Sequence, residues 1–235
     1  MRVGTSGYSY VEWAEAGLYP PGTRTDDMLR HYARIFSIAE LNYTWYQMPQ
    51  ASAVDRMRRK VPTDFQFAVK LTRTMTHEVS PHGWRDQVRA YREGIAPLLQ
   101  SGQLAAVLVQ LPPFFARISK NRIYLSDLLD QLAGLPVAVE FRHRSWATDR
   151  VFAGLERRGV ALVAVDAPEL PDLFPSLDVV TSPDLFYVRF HGRNAKGWRS
   201  GNMRKQFDYD YGEAELSEWV VKRILKMAGS VSSGV

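Results

Sequence analysis

Short runs in which apolar and polar residues alternate recur along the chain, separated by segments of helical length. Neighbouring side chains on a strand point to opposite faces, so each such run has an apolar face and a polar one. In Val137–Trp146, reading V-A-V-E-F-R-H-R-S-W, Ala138, Glu140 and Arg142 share one face, and Val137, Val139 and Phe141 the other. Ile38–Tyr43 repeats the pattern with Glu40 and Asn42 as its polar set, and Phe65–Lys70 ends in Lys70. Leu104–Leu111 carries Gln110 near its end, and Leu185–His191 sets Tyr187, Arg189 and His191 against Phe186, Val188 and Phe190. Val3–Tyr8 is a short strand, while Ala161–Val165 is a nearly continuous apolar one finishing at Asp166. Seven strands are therefore expected, near residues 3, 40, 68, 108, 138, 163 and 188.

Between them the pattern predicts helices. Thr25 is placed to cap one from Asp26 to Phe36, with two acids in the first turn where the dipole favours them. Others run over Ser52–Lys60, Trp84–Leu99, the neighbourhood of Asp127–Leu132, Thr148 or Asp149 to Arg158 (stopped by Gly159), and Glu213–Ala228. Strands alternating with helices indicate βαβ units and a parallel sheet. The first strand is followed by G-T-S-G-Y-S, without the G-x-G-x-x-G spacing of a dinucleotide site. Polar residues instead stand at the C-terminal ends of nearly all strands, where barrel sites form. The expectation is an α/β fold: one TIM-type (β/α) barrel domain spanning residues 1–235.

Composition narrows the class. The chain has 235 residues, 46% hydrophobic and 23% charged, which suits a globular domain. No apolar run reaches the roughly eighteen residues of a membrane span, so no membrane partner is expected. Cysteine is absent, which removes disulfides, thiolate ligands and a cysteine nucleophile and agrees with a cytoplasmic location. The net charge of +5 is unevenly spread: Arg189, Arg193, Lys196, Arg199, Arg204 and Lys205 follow one another with no Asp or Glu between them. Such a run suits phosphates, or is a solvated basic loop.

In the barrel phase, one mouth collects Glu40, Asn42, Lys70, Gln110, Glu140, Arg142, Asp166, Arg189 and His191. Neighbouring loops add Tyr46, His77, His143, Trp146 and Arg193. Buried charges must be paired, hydrated or liganded, so this ring is either an ion-pair network or a site. Glu40, Glu140 and Asp166 with His77, His143 and His191 could hold a divalent metal, but Lys70, Arg142 and Arg189 would repel one; a metal is not favoured, and the cofactor is left unknown. The same cations suit a phosphate or carboxylate. Glu140, Asp166, His191 and Glu40 are then the candidates for acid–base chemistry. No G-x-S-x-G motif supplies a serine nucleophile. Tyr8, Tyr43, Trp45, Tyr46, Trp146 and Trp198 could stack a sugar or base, or pack loops onto the barrel.

Eight motifs, G-T-S-G-Y-S, E-L-N-Y-T-W-Y, F-A-V-K-L-T-R, T-H-E, V-Q-L-P-P-F-F, V-E-F-R-H-R-S-W, V-A-V-D-A-P and Y-V-R-F-H-G-R, stand in this order from residue 4 to about residue 193. Together they resemble the domain-of-unknown-function-72, or YecE-like, family. The resemblance implies a TIM-type barrel and carries over Glu40, Asn42, Lys70, His77, Gln110, Glu140, Arg142, His143, Trp146, Asp166, Arg189, His191 and Gly192 as motif positions. It implies no reaction. Likeness of such barrels to metal-using endonucleases and sugar isomerases is an analogy of fold. The family continues with a strand ending in aromatic-Asn-Asn and a further helix, where this chain has G-S-V-S-S-G-V. Seven strands are therefore expected, either as an incomplete barrel with a gap between the first and seventh or as one closed by something outside this chain, and an open edge invites pairing into an oligomer. The leading functional expectation is an enzyme of hydrolase or lyase type acting on an anionic small or polymeric substrate. The alternatives are a nucleic-acid-binding protein or metal-dependent nuclease, and a non-catalytic ligand-binding barrel.

Overall fold

Seven parallel strands form in the seven expected places. They are β1 (Gly4–Ser6), β2 (Ile38–Leu41), β3 (Gln66–Lys70), β4 (Leu104–Gln110), β5 (Val137–Glu140), β6 (Ala161–Asp166) and β7 (Tyr187–Phe190). The computed structural model describes residues 1–232, 234 and 235, and of Met203 the backbone. Two compact units divide them: an N-terminal unit of Arg2–Val109 with Gln131–Pro136, and a C-terminal unit of Gln110–Asp130 with Val137–Val235, to which Met1 also belongs.

In the N-terminal unit β1 to β4 pair in sequence order, with Ser6 opposite Glu40. The helices are α1 (Glu12–Glu15), α2 (Thr25–Tyr32), α3 (Tyr43–Tyr46), α4 (Ala51–Arg58) and α5 (Trp84–Gln100). Tyr32 joins α2 to the sheet: its hydroxyl accepts from the Thr5 N–H at 2.7 Å and donates to the Ile38 carbonyl at 2.9 Å. The expected cap and end of this helix need correction. Thr25 is its first residue, Arg24 holds the cap position with no side-chain capping bond, and the helix ends at Tyr32 instead of Phe36. A side chain committed to two strands fixes the helix at that point more firmly than local propensity does.

In the C-terminal unit β5, β6 and β7 pair in order, with Val165 opposite Arg189 and Asp166 opposite Phe190. Every residue of β5 and β6 is buried. The helices are α6 (Ser119–Gln131), α7 (Asp149–Glu156), and two short ones, α8 (Ala195–Arg199) and α9 (Met203–Gln206). The expected last helix is present as α10 (Glu213–Glu218), a π-helical stretch Trp219–Ile224, and α11 (Leu225–Ala228). The expected long strand at Val137 is shorter: β5 stops at Glu140, and Arg144–Trp146 is a 3-10 turn. Its Trp146 stacks between Phe141, at 4.8 Å, and Phe115, at 5.6 Å, while the indole N–H donates to the Phe115 carbonyl at 2.6 Å.

A closed barrel is not formed. The strands run in sequence order from β1 to β7, and no pairing among the described residues turns that series into a ring. The fold is α/β with seven parallel strands, open instead of closed. Beside β7 the described residues form an isolated parallel bridge, Gly234 to Phe186, with the Val188 N–H donating to Val235 and the Val235 N–H to Phe186, both at 3.0 Å. A Cβ at position 234 would lie 2.3 Å from the Phe186 ring, so the bridge needs glycine. Ser233, within the tail read above as lacking a strand, lies outside the described residues.

Trp146 is 3% exposed and holds two loops onto β5, so Trp146→Ala is expected to lower the unfolding free energy by about 3–5 kcal/mol in urea titration. A loss below ~1 kcal/mol would show that the stack is dispensable.

Candidate functional site

In the C-terminal unit the strand ends assemble around one carboxylate. Glu140, last residue of β5, is 0% exposed. Arg142, two residues on, reaches back to its Oε1 through Nε. From β7, Arg189 donates from Nη1 to Oε2 at 2.5 Å. His191 Nε2 lies 3.1 Å from Oε1, and Gln110 Nε2 donates to the same oxygen at 3.0 Å. The main chain is engaged too, since the Leu111 N–H donates to the Glu140 carbonyl at 2.9 Å. Alternation makes this geometry: Arg189 and His191 share a face of β7 and so arrive together.

Burial by itself would raise the Glu140 carboxyl, but the Arg142 and Arg189 guanidiniums and the His191 ring overcome it and hold the group well below the usual carboxylate range. His191 moves down, to about 4, because burial and then the Arg142 charge disfavour the imidazolium more strongly than Glu140 favours it. The ring is therefore neutral near pH 7. Nε2 faces the Glu140 carboxylate and also the Arg142 and Arg189 guanidiniums, at 3.2 and 3.5 Å, so an acceptor and two donors compete for the same ring nitrogen.

A second charged group stands at the ends of β6 and β7. Asp166 is 3% exposed and accepts from Arg193 Nε with both oxygens, at 3.1 and 3.0 Å. Arg193 also donates to Glu215 at 2.9 Å, and the Tyr209 hydroxyl donates to the same oxygen at 2.6 Å. The hydrogen bond to Asp166 raises Arg193, and the one from Tyr209 lowers Glu215. Above the first group lie Trp198 and Phe207. The Arg142 guanidinium sits 5.2 Å from the Trp198 ring centre, and Phe207 lies 5.9 Å from the His191 ring.

The remaining candidates are placed differently. Trp146 is packing, as described, and offers no face to a ligand. His143 caps the 3-10 turn, its Nδ1 accepting from the Ser145 N–H at 3.2 Å. In the N-terminal unit, Glu40 accepts from the Ser6 hydroxyl at 2.6 Å, and Asn42 donates to Ser6 at 2.8 Å. His77 Nδ1 accepts from the Trp45 indole at 3.3 Å, Lys70 Nζ lies 5.4 Å from the Trp45 ring centre, and Tyr46 is 61% exposed. Sequence reasoning missed Glu215, Tyr209 and Phe207 as parts of the C-terminal group. No spacing signals them, because Glu215 meets Arg193 across 22 residues of chain.

Among the described residues no three His, Asp or Glu side chains gather as a ligand set for a metal ion. Around Glu140 the other partners are guanidiniums, an amide and an imidazole, and Asp166 and Glu215 are drawn to a guanidinium.

The model of the family described as "Protein of unknown function DUF72" matches residues 2–233. The chain belongs to the DUF72 family. It is 30% identical over 216 residues to the UPF0759 protein YunF of Bacillus subtilis (strain 168), covering 86% of this chain and 77% of that one. A crystal structure of a DUF72 family protein from Thermotoga maritima MSB8 is similar with a TM-score of 0.88 and 33% identity, over 99% of this chain and 89% of that one. Another, from Enterococcus faecalis V583, is similar with a TM-score of 0.87 and 27% identity, over 99% and 86%. The family description names no reaction, so chemistry for this DUF72 chain has to come from its own side chains. Among the described residues no helix is long and apolar enough to cross a membrane.

The neutral imidazole of this DUF72 protein has a measurable consequence. The unfolded chain takes up a proton at its His191 near pH 6.5, whereas the folded chain refuses it until about pH 4. Stability therefore falls as pH drops through that window. In urea titrations at pH 7.5 and pH 5, His191→Gln is expected to remove about 2 kcal/mol of the wild-type loss. An equal loss in both proteins would contradict the burial of a neutral ring.

Proposed function

We propose that this protein is an enzyme acting on a phosphate- or carboxylate-bearing substrate, held by Arg142 and Arg189, with His191 moving the proton. The observation that carries this reading is the composition of the buried group: two guanidiniums and one neutral imidazole gathered at Glu140. Arginine takes up phosphate and carboxylate with paired donors, and a structural core has no need of such a group, since apolar residues of similar volume are often as stable as a buried ion pair. The Arg193 group, by contrast, sets two carboxylates on one guanidinium, which suits an anion less well.

Glu140 takes a different part from the general acid or base expected above. With its carboxyl held far below the usual range and its oxygens engaged, it is poor at exchanging protons; it orients the two arginines and the imidazole. Asp166 orients Arg193. The base is then the neutral imidazole of His191. Because the Trp198 ring covers Arg142, substrate entry requires the segment carrying Trp198 and Phe207 to shift, as loops over active sites commonly do.

Thermal-shift titration with inorganic phosphate, phosphomonoesters and small carboxylates tests binding, and turnover of the same set tests chemistry. Stabilisation by a phosphate or carboxylate compound is expected in the wild type and lost in Arg189→Met. His191→Gln is expected to keep the stabilisation and to lower kcat by about 100-fold or more. Binding unaffected by Arg189→Met, or turnover unaffected by His191→Gln, would contradict the proposal.

A further inference from the structure

The segment after β7 folds into a small cap whose outer face is distinct from the Glu140 group beneath it. Asn194 organises it: Oδ1 accepts from the Gly197 N–H at 2.9 Å, while Nδ2 donates to the carbonyls of Lys205 and Asp208 at 3.0 and 3.1 Å. A Cβ on Gly197 would lie 1.9 Å from the Lys205 carbonyl oxygen, so α8 and α9 meet backbone to backbone and only glycine fits. This contact brings Lys196 and Arg199 of one helix and Arg204 and Lys205 of the other onto one compact piece of structure. All four side chains are exposed. None makes an ion pair among the described residues, although Arg58, Arg59, Arg158, Arg193 and Arg223 each find a carboxylate. Two residues beyond Lys205 stands Phe207, 46% exposed, with its inner side against His191 and Trp198.

We propose that this outer face binds single-stranded nucleic acid, the four cations following the phosphates and Phe207 stacking on a base. Cationic grooves with an aromatic platform are how sequence-tolerant single-strand binders work, and an unpaired base is what such a platform needs. A duplex keeps its base faces stacked inside and would use the cations alone. An anionic membrane is disfavoured, because helices of five and four residues offer no apolar stripe to lie in the interface. The inference does not depend on the reaction proposed at His191.

Fluorescence anisotropy with a labelled oligo(dT), titrated at several salt concentrations, tests it. Four phosphate contacts give an expected slope of about −2.8 for log Kobs against log salt. The combined variant Lys196→Gln, Arg199→Gln, Arg204→Gln and Lys205→Gln should flatten that slope to near zero. Phe207→Ala should weaken binding about tenfold, with Phe207→Tyr restoring it, which a mere folding defect would not allow. Absence of oligo(dT) binding at low salt, a steep slope retained by the fourfold variant, or salt-dependent binding only to phosphatidylserine vesicles or to duplex DNA would each overturn the proposal.

Discussion

A carboxylate with no access to solvent cannot remain ionised unless the protein surrounds it with donors, and Glu140 makes that demand on much of the C-terminal unit. Its oxygens require a guanidinium from the turn after β5, a guanidinium and an imidazole from β7, and an amide from the end of β4. Each partner must arrive in the correct register, because a slip of one residue in β7 would turn Arg189 and His191 to the opposite face. The Trp146 stack and the His143 cap belong to the same constraint: they fix the turn from which Arg142 returns. Breaking a buried ion pair by removing one charged partner costs roughly 3–5 kcal/mol in comparable cases.

The same arrangement separates positions that look alike in sequence. Glu140 and Asp166 both end buried strands, yet one gathers two guanidiniums and an imidazole, whereas the other shares a single guanidinium with Glu215. In the proposed reading the chemistry falls to the neutral His191 ring. The cap above this centre has its own logic: its inner side supplies aromatic cover, and its outer side keeps four cations in water. Exposed cations cost little to keep there, since surface pairing would contribute only about 0–1 kcal/mol each.

The strands were legible because alternation of apolar and polar residues is a local signal that survives folding. All seven lie where it put them, and the C-terminal positions of Glu140, Asp166, Arg189 and His191 follow from it. The open edge followed from the strand count, whereas the bridge from Gly234 to Phe186 was not legible, because it joins residues far apart in the chain with no local pattern to mark them. Helix α2 ends early for a reason the local sequence could not display: the Tyr32 hydroxyl is committed to Thr5 and Ile38. Trp146 and His143 had the type and position of site residues, but the turn after Glu140 directs one into the core and the other onto its own backbone. The partnership of Arg193 with Glu215 and Tyr209 carries no motif at all.

A double-mutant cycle between Glu140 and Arg189, read by equilibrium unfolding at pH 7.5, measures the central interaction most directly. Glu140→Gln, Arg189→Met and the combined variant would be compared with wild type. If Glu140 is the anchor of the buried group, the two substitutions are strongly non-additive, with a coupling of about 3 kcal/mol or more. Additivity to within about 0.5 kcal/mol would mean that the two groups act independently, and would contradict the account.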